Sequence, residues 1–143
     1  MNLEKLLNEQ VANLIVFYVK LHNYHWFVKG SQFYQLHELF EELYDETTEN
    51  YDEVAERMLM LEMVPVATLK DSLALATLKE ATGKESTDEM ILNVLNDFKH
   101  LNERFGAVLE AADEAQDDVT ADIMTTIRSS FQKHIWMLRE MLK

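Results

Sequence analysis

The chain of 143 residues has no cysteine, one proline and three glycines. Without cysteine there is no disulfide, no thiolate metal site and no thiol nucleophile, and cysteine usage gives no indication of redox compartment. So few Pro and Gly leave little punctuation for a many-stranded β fold. The hydrophobic share of 48% is enough to bury a real core, and long helices are the natural outcome. Basic residues are also scarce. Lys and Arg number 13 against 26 Asp and Glu, for a net charge of −13. A surface of that sign repels nucleic acid and anionic membranes and attracts cations.

Long apolar runs are lacking too. The longest, residues 11 to 19, is about half a membrane span and is interrupted by Asn13. The first residues carry an acid and one base, and no small-residue cleavage site follows the apolar run. We therefore expect no signal peptide and a cytoplasmic location. No repeat or low-complexity segment divides the chain, and one domain over residues 1–143 is expected.

What is present is helical periodicity. Residues 3 to 29 place Leu7, Val11, Leu14, Tyr18 and Leu21 on one stripe. Gly30 sits where a C-terminal cap belongs, and Ser31 is placed to cap the next helix. That second helix repeats the pattern through Phe33, Leu36, Phe40, Leu43, Val54, Met58 and Leu61, until Pro65 ends it. Residues 66 to 84 predict a loop with a short helix from Asp71, closed at Gly83. Ser86 with Glu89 three residues later is a capping box, and opens a helix carrying Ile91, Val94, Phe98, Leu101, Phe105, Val108 and Ala112. A last helix over 118 to 142 has the stripe Ile123, Ile127, His134, Leu138 and Met141. Two helix pairs joined by a long crossover predict an all-α, ferritin-like four-helix bundle with a short extra helix between helices 2 and 3.

The second helix carries another band. With His37 at zero and about 100° per residue, Glu41, Asp52 and Glu56 fall within about 100° of it, while the apolar stripe centres near 270°. A solvated acidic face looks similar. Against that reading, histidine is a ligand type, and His37/Glu41 and Asp52/Glu56 are each pairs one turn apart. Glu41 and Asp52 are separated by 11 residues, or about 16 Å of helix. One ion bonded to N and O at about 2 Å cannot reach both in one chain. His37/Glu56 and Glu41/Asp52 are both centred between Glu46 and Thr47. A two-fold axis near Thr47 would set His37 and Glu41 of one subunit against the second pair of its partner, giving two equal sites.

On the first helix, His25 continues the apolar stripe. Such a histidine is commonly a hydrogen-bonded core residue, but beside the band it becomes a candidate third ligand from the same subunit. His22 lies off the stripe and ranks behind it. Tyr24 and Trp26 flank His25, either as packing or as oxidisable rings beside a redox metal. Two imidazoles and three carboxylates suit Fe, Mn or Zn, with iron favoured by the carboxylates, whereas Ca²⁺ would want no imidazole. No histidine has a Glu three residues before it, so a bundle-core di-iron centre built on Glu-x-x-His is not expected.

The runs His22-Asn-Tyr-His25-Trp-Phe-Val-Lys-Gly30, Leu36-His37-Glu38 and Tyr51-Asp52-Glu53-Val-Ala-Glu56-Arg57 resemble the Dps mini-ferritins, DNA-protection proteins of starved cells. Pro65 to Lys70 and Lys133 to Met137 resemble later segments of that family. The resemblance implies a hollow homododecamer with ferroxidase centres at two-fold interfaces. These oxidise Fe(II), typically with hydrogen peroxide, store the Fe(III) mineral inside and limit oxidative damage. Residue by residue it places the centre, and so the catalytic and metal-binding set, on His25, His37, Glu41, Asp52 and Glu56, with at most two iron ions per site and Zn or Mn as substitutes. Glu41 stands where the family usually has Asp, and Glu62-Met63 replaces its usual Gly-Gly. Iron-entry pores in the family lie near the start of the last helix, where Asp117 and Asp122 match two acids and Thr126 replaces a third. Helix capping is the plainer role for Asp117. Trp26 is a candidate redox aromatic.

Many relatives bind DNA through Lys-rich tails, and none is visible here. With −13 net charge, no nucleic-acid binding is expected. Two alternatives remain: a DNA-compacting nucleoid protein without significant ferroxidase activity, and a structural bundle without metal chemistry.

Overall fold

A computed structural model describes residues 2–143, with five helices and, among those residues, no strand. They are α1 (Leu3–Phe27), α2 (Phe33–Met60), α3 (Leu69–Leu75), α4 (Thr87–Glu114) and α5 (Asp118–Met141). The pairs α1/α2 and α4/α5 pack most extensively, α4 also packs on α1, and α3 lies against α1. This is the all-α bundle with a short helix in its crossover that the periodicity predicts. No described helix is long and apolar enough to cross a membrane.

The stripes meet in one core. Leu7, Leu14, Phe17 and Leu21 of α1 face Leu36, Phe40, Val54 and Met58 of α2, with the α4 stripe closing over them, all buried. Edge-to-face rings tie the layers, Phe17 to Phe98 at 5.1 Å and Phe105 to Phe131 at 5.0 Å. On α5 the buried face runs through Thr120, Met124, Ile127, Phe131 and Leu138. The expected stripe is therefore displaced: Met141 is exposed and Ile123 only flanks the core. The seven-residue spacing of Met124, Phe131 and Leu138 keeps one line facing α4.

Helix ends differ from expectation in three places, each for a local reason. Val28 caps α1, and the N-cap of α2 is Gln32, whose side chain makes no capping bond. Ser31 therefore does not cap α2. Gly30 supplies the turn instead, with φ +106°, and its carbonyl accepts from Phe33 N–H at 3.1 Å. Capped by Thr68, α3 starts at Leu69, two residues earlier than Asp71, which sits in the first turn where an acid suits the positive helix end. α2 stops at Met60 and not at Pro65. Glu62 takes the left-handed conformation (φ 61°), and Met63 N–H donates to Met58 O at 2.9 Å, a Schellman ending made without glycine. The Ser86/Glu89 capping box forms reciprocally, at 3.2 and 2.9 Å.

Asn13, placed in the apolar run of α1, turns out to anchor the crossover. Its side-chain oxygen accepts from Thr77 N–H at 2.6 Å and Leu78 N–H at 3.0 Å, while its amide donates to Gln10 and Thr77. Further along, the Glu85 carboxylate accepts from Tyr24 Oη–H at 2.8 Å and from the backbone of Thr82, Gly83 and Lys84.

Candidate metal centre

The turn at Gly30 folds the start of α2 back onto the end of α1, so that His25 and His37 stack with ring centroids 3.7 Å apart and planes 14° from parallel. Each ring reaches the other's backbone: His25 Nδ1 lies 2.6 Å from His37 O, and His37 Nδ1 lies 2.7 Å from His25 O. A carbonyl can only accept, so both Nδ1 atoms carry the proton and donate. In a neutral ring this arrangement leaves the lone pair on Nε2, the tautomer that metal-ligating histidines hold through their other nitrogen. His25 is buried, and its Nε2 lies 3.9 Å from an oxygen of the exposed Glu41.

Asp52 and Glu56 lie elsewhere, as the helical rise requires. Both are exposed and line a shallow groove with Glu49, Arg57 and Val119. Neither forms a hydrogen bond or ion pair among the described residues. Among the described residues no group of three or more His, Asp or Glu converges to hold a metal ion. The chain thus brings His25, His37 and Glu41 together and leaves the other pair apart. Thr47 is itself buried and donates to Leu43 O. A symmetric contact at its level would fall on the opposite face of α2.

The rings around the histidines are unevenly exposed. Trp26 is 63% exposed and Phe27 59%, a patch of apolar surface beside the site. Tyr24, by contrast, is fully buried and bonded to Glu85 and Asn93, which gives it a structural role. His22 stacks on Tyr44 at 3.7 Å, and its Nδ1 faces Tyr18 O. Tyr44 was not singled out from the sequence. It lies three residues after Glu41, edge-on to His25 at 5.3 Å. Burial raises its pKa, and the charges of Glu41 and Asp45 raise it further. Its position one turn beyond Glu41 was the available signal.

At the start of α5, Asp117 caps the helix through Thr120 N–H at 3.1 Å and receives Arg57 Nη2 at 2.9 Å. Burial opposes the charged form, but the hydrogen bonds from Thr120 and Arg57 outweigh it and lower the pKa. Asp122 is exposed and makes no such bonds. Between α2 and α5, Glu46 meets His134 Nε2 at 2.5 Å and accepts from Ser130. Sequence spacing within one helix gave no sign of this pair.

A ferritin-like domain matches residues 4–143, which defines the class of the protein. General stress protein 20U of Bacillus subtilis is 48% identical over 136 residues, covering 95% of this chain and 94% of that protein. The DNA protection during starvation protein of Brevibacillus brevis is 50% identical over 138 residues, covering 96% and 93%. The crystal structure of a Dps protein from Bacillus brevis superposes with a TM-score of 0.97 at 49% identity, covering 99% of this chain and 95% of that one. The chain belongs to the Dps family of mini-ferritins.

Proposed function

We propose that the protein is a ferroxidase that detoxifies and stores iron. Fe(II) is its substrate and hydrogen peroxide its oxidant. Two Fe(II) at one site supply the two electrons that peroxide needs, giving two Fe(III) and two water molecules with uptake of two protons. His25, His37 and Glu41 of one subunit would bind iron together with Asp52 and Glu56 of its partner, with Zn or Mn able to substitute. The observation that carries this reading is the reciprocal histidine pair, whose Nδ1 atoms are both committed to carbonyls, with His25 Nε2 3.9 Å from the exposed Glu41 carboxylate. The unpartnered Asp52 and Glu56 supply the complement. The exposed Trp26 and Phe27 support burial of this region against a second copy.

Assembly continues from two-fold dimers to a hollow dodecamer that keeps the Fe(III) mineral inside, in the cytoplasm. Asp122 would serve iron entry, whereas Asp117 contributes mainly as the α5 cap. The relatives' name refers to DNA protection. With −13 net charge the chain has little with which to neutralise phosphate, so protection here would come from removing iron and peroxide. Retardation of DNA in a low-salt gel would refute that part.

Complementation tests the shared site. A His37→Ala/Glu41→Ala chain and an Asp52→Ala/Glu56→Ala chain should each fail to oxidise Fe(II) rapidly with peroxide in stopped flow. Reassembled together from equal amounts, they should recover about a quarter of the parental sites, because half of random dimers are mixed and each has one intact site. No recovery, or full activity in either chain alone, would defeat the assignment.

A further inference from the structure

We propose that Tyr44, Tyr18 and Tyr51 form a relay carrying an oxidising equivalent between the two metal sites of a two-fold pair. This rests on the site placement proposed above. Tyr44 lies 5.3 Å from His25 between ring centroids, Tyr18 lies 5.8 Å from Tyr44, and Tyr51 lies 6.1 Å from Tyr18. The successive planes cross at 88°, 80° and 87°. Tyr44 and Tyr51 are two turns apart on α2, about 10 Å, and Tyr18 of α1 fills the gap. Tyr51 directly precedes Asp52, so the line starts at the ligands of one site and ends beside a ligand of the other.

Residue type separates this line from ordinary packing. In the core, the ring contacts among Phe17, Phe98, Phe105 and Phe131 are made by phenylalanine, which fills space and resists oxidation. On the line between the sites all three rings are tyrosine. All three are half-buried, placed neither for solvation nor for complete burial. His22 stacks on Tyr44 and sits edge-on to Tyr18 at 4.6 Å, so it packs between these two rings, and it also reaches the exposed Trp26, a branch towards the surface.

The relay matters when a site holds a single Fe(II). One electron then reduces peroxide, with one proton, to water and a hydroxyl radical, and yields Fe(III). The hydroxyl radical takes the phenolic hydrogen of Tyr44, giving water and a tyrosyl radical. Tyr18 passes an electron and a proton to Tyr44, and Tyr51 does the same for Tyr18. Fe(II) at the second site reduces Tyr51 with uptake of a proton and becomes Fe(III). The sum is two Fe(II), one peroxide and two protons giving two Fe(III) and two waters. Two half-filled sites thereby complete one harmless reduction.

The test loads parent, Tyr18→Phe and Tyr44→Phe proteins with one Fe(II) per site and adds hydrogen peroxide. Freeze-quench electron paramagnetic resonance follows the tyrosyl radical, and a spin trap counts escaped hydroxyl radical. In the parent the radical should decay quickly with few trap adducts. Tyr18→Phe keeps the ring but blocks transfer, so the radical should persist several-fold longer and adducts should rise several-fold. Tyr44→Phe should lose most of the early radical. With two Fe(II) per site, Tyr18→Phe should match the parent in iron oxidation. Radical decay and adducts identical to the parent in Tyr18→Phe would overturn the relay while leaving the ferroxidase reading intact. A parent that does not oxidise Fe(II) would overturn both.

Discussion

The crossover and the outer face of α2 are both rich in polar side chains, yet they use them in opposite ways. Around the crossover, Asn13 of α1 and Glu85 commit nearly every hydrogen-bonding position to their own chain. On α2, Asp52 and Glu56 bond to nothing among the described residues, and among the same residues Glu41 meets only His25 Nε2, at 3.9 Å. Folding explains the first arrangement, because these bonds hold the turns of the crossover and satisfy its backbone N–H groups, the buried one of Leu78 among them. It does not explain the second. A band of carboxylates contributes nothing to the stability of its own helix, and like charges on one face repel. That contrast is the physical reason for assigning the outer face to a cation and a second subunit.

The sharpest way to break the contrast is to change each side alone. Asp52→Ala should remove rapid peroxide-driven Fe(II) oxidation while changing unfolding free energy by no more than about 0.5 kcal/mol, the range for exposed positions without partners. Stopped flow and denaturant unfolding of the same preparation check it, at fixed protein concentration because assembly contributes to stability. Retained oxidation, or a large stability loss, would mean that Asp52 has a structural partner instead. Asn13→Leu is the converse. It leaves the buried Leu78 amide without its acceptor, at about 1–3 kcal/mol for a buried donor left unpaired, and removes the acceptor of the more exposed Thr77 amide at a smaller cost. The metal-site residues are untouched, so iron oxidation per folded assembly should persist.

The contrast also explains what could be read from the sequence. Helix periodicity is local, and α1, α2 and α4 fell where their stripes predicted. The capping box formed because Ser86 and Glu89 need only each other. Gln116 gave no signal because it ends its helix in a left-handed conformation usually taken by glycine, and Glu62, which does the same, showed only as a replacement for the family's usual glycine. Band residues on α2 were legible because one helix fixes their relative angles. The exchange of His25 and His37 protons for each other's carbonyls was not legible, since it depends on how closely the Gly30 turn brings two helices together. Asn13 looked like an interruption for the same reason: its partners lie more than sixty residues away.

A smaller effect follows from pH. Burial of the Glu85 carboxyl alone would raise its pKa, but hydrogen bonds from the Thr82 backbone and the Tyr24 hydroxyl dominate and hold it at about 2. A carboxyl depressed by folding stabilises the fold above its unfolded pKa, and that contribution is lost as pH falls from the ordinary value of 4.5 towards about 2. The melting temperature should therefore drop over this window, and Glu85→Gln should flatten the Glu85 share of the drop while lowering stability near neutral pH. An unchanged acid slope in the variant would show that the nest around Glu85 contributes little.

The smallest expected effect probes Glu41, the band residue closest to a partner in its own chain. Its carboxylate reaches to 3.9 Å from His25 Nε2 across a side chain that is 53% exposed. Glu41→Asp withdraws the charge by one methylene towards the α2 backbone but keeps its sign. Both histidines stay fixed, because their Nδ1 protons bond to carbonyls that this substitution does not touch. Iron binding should therefore survive, with a change of less than about tenfold in oxidation rate, equivalent to about 1.4 kcal/mol in the barrier. Glu41→Gln is the needed companion, since it keeps the length and removes the charge, and it should slow oxidation more than the aspartate does. If the aspartate variant were the slower of the two, reach and not charge would be what Glu41 contributes, and the site would depend on that extra methylene.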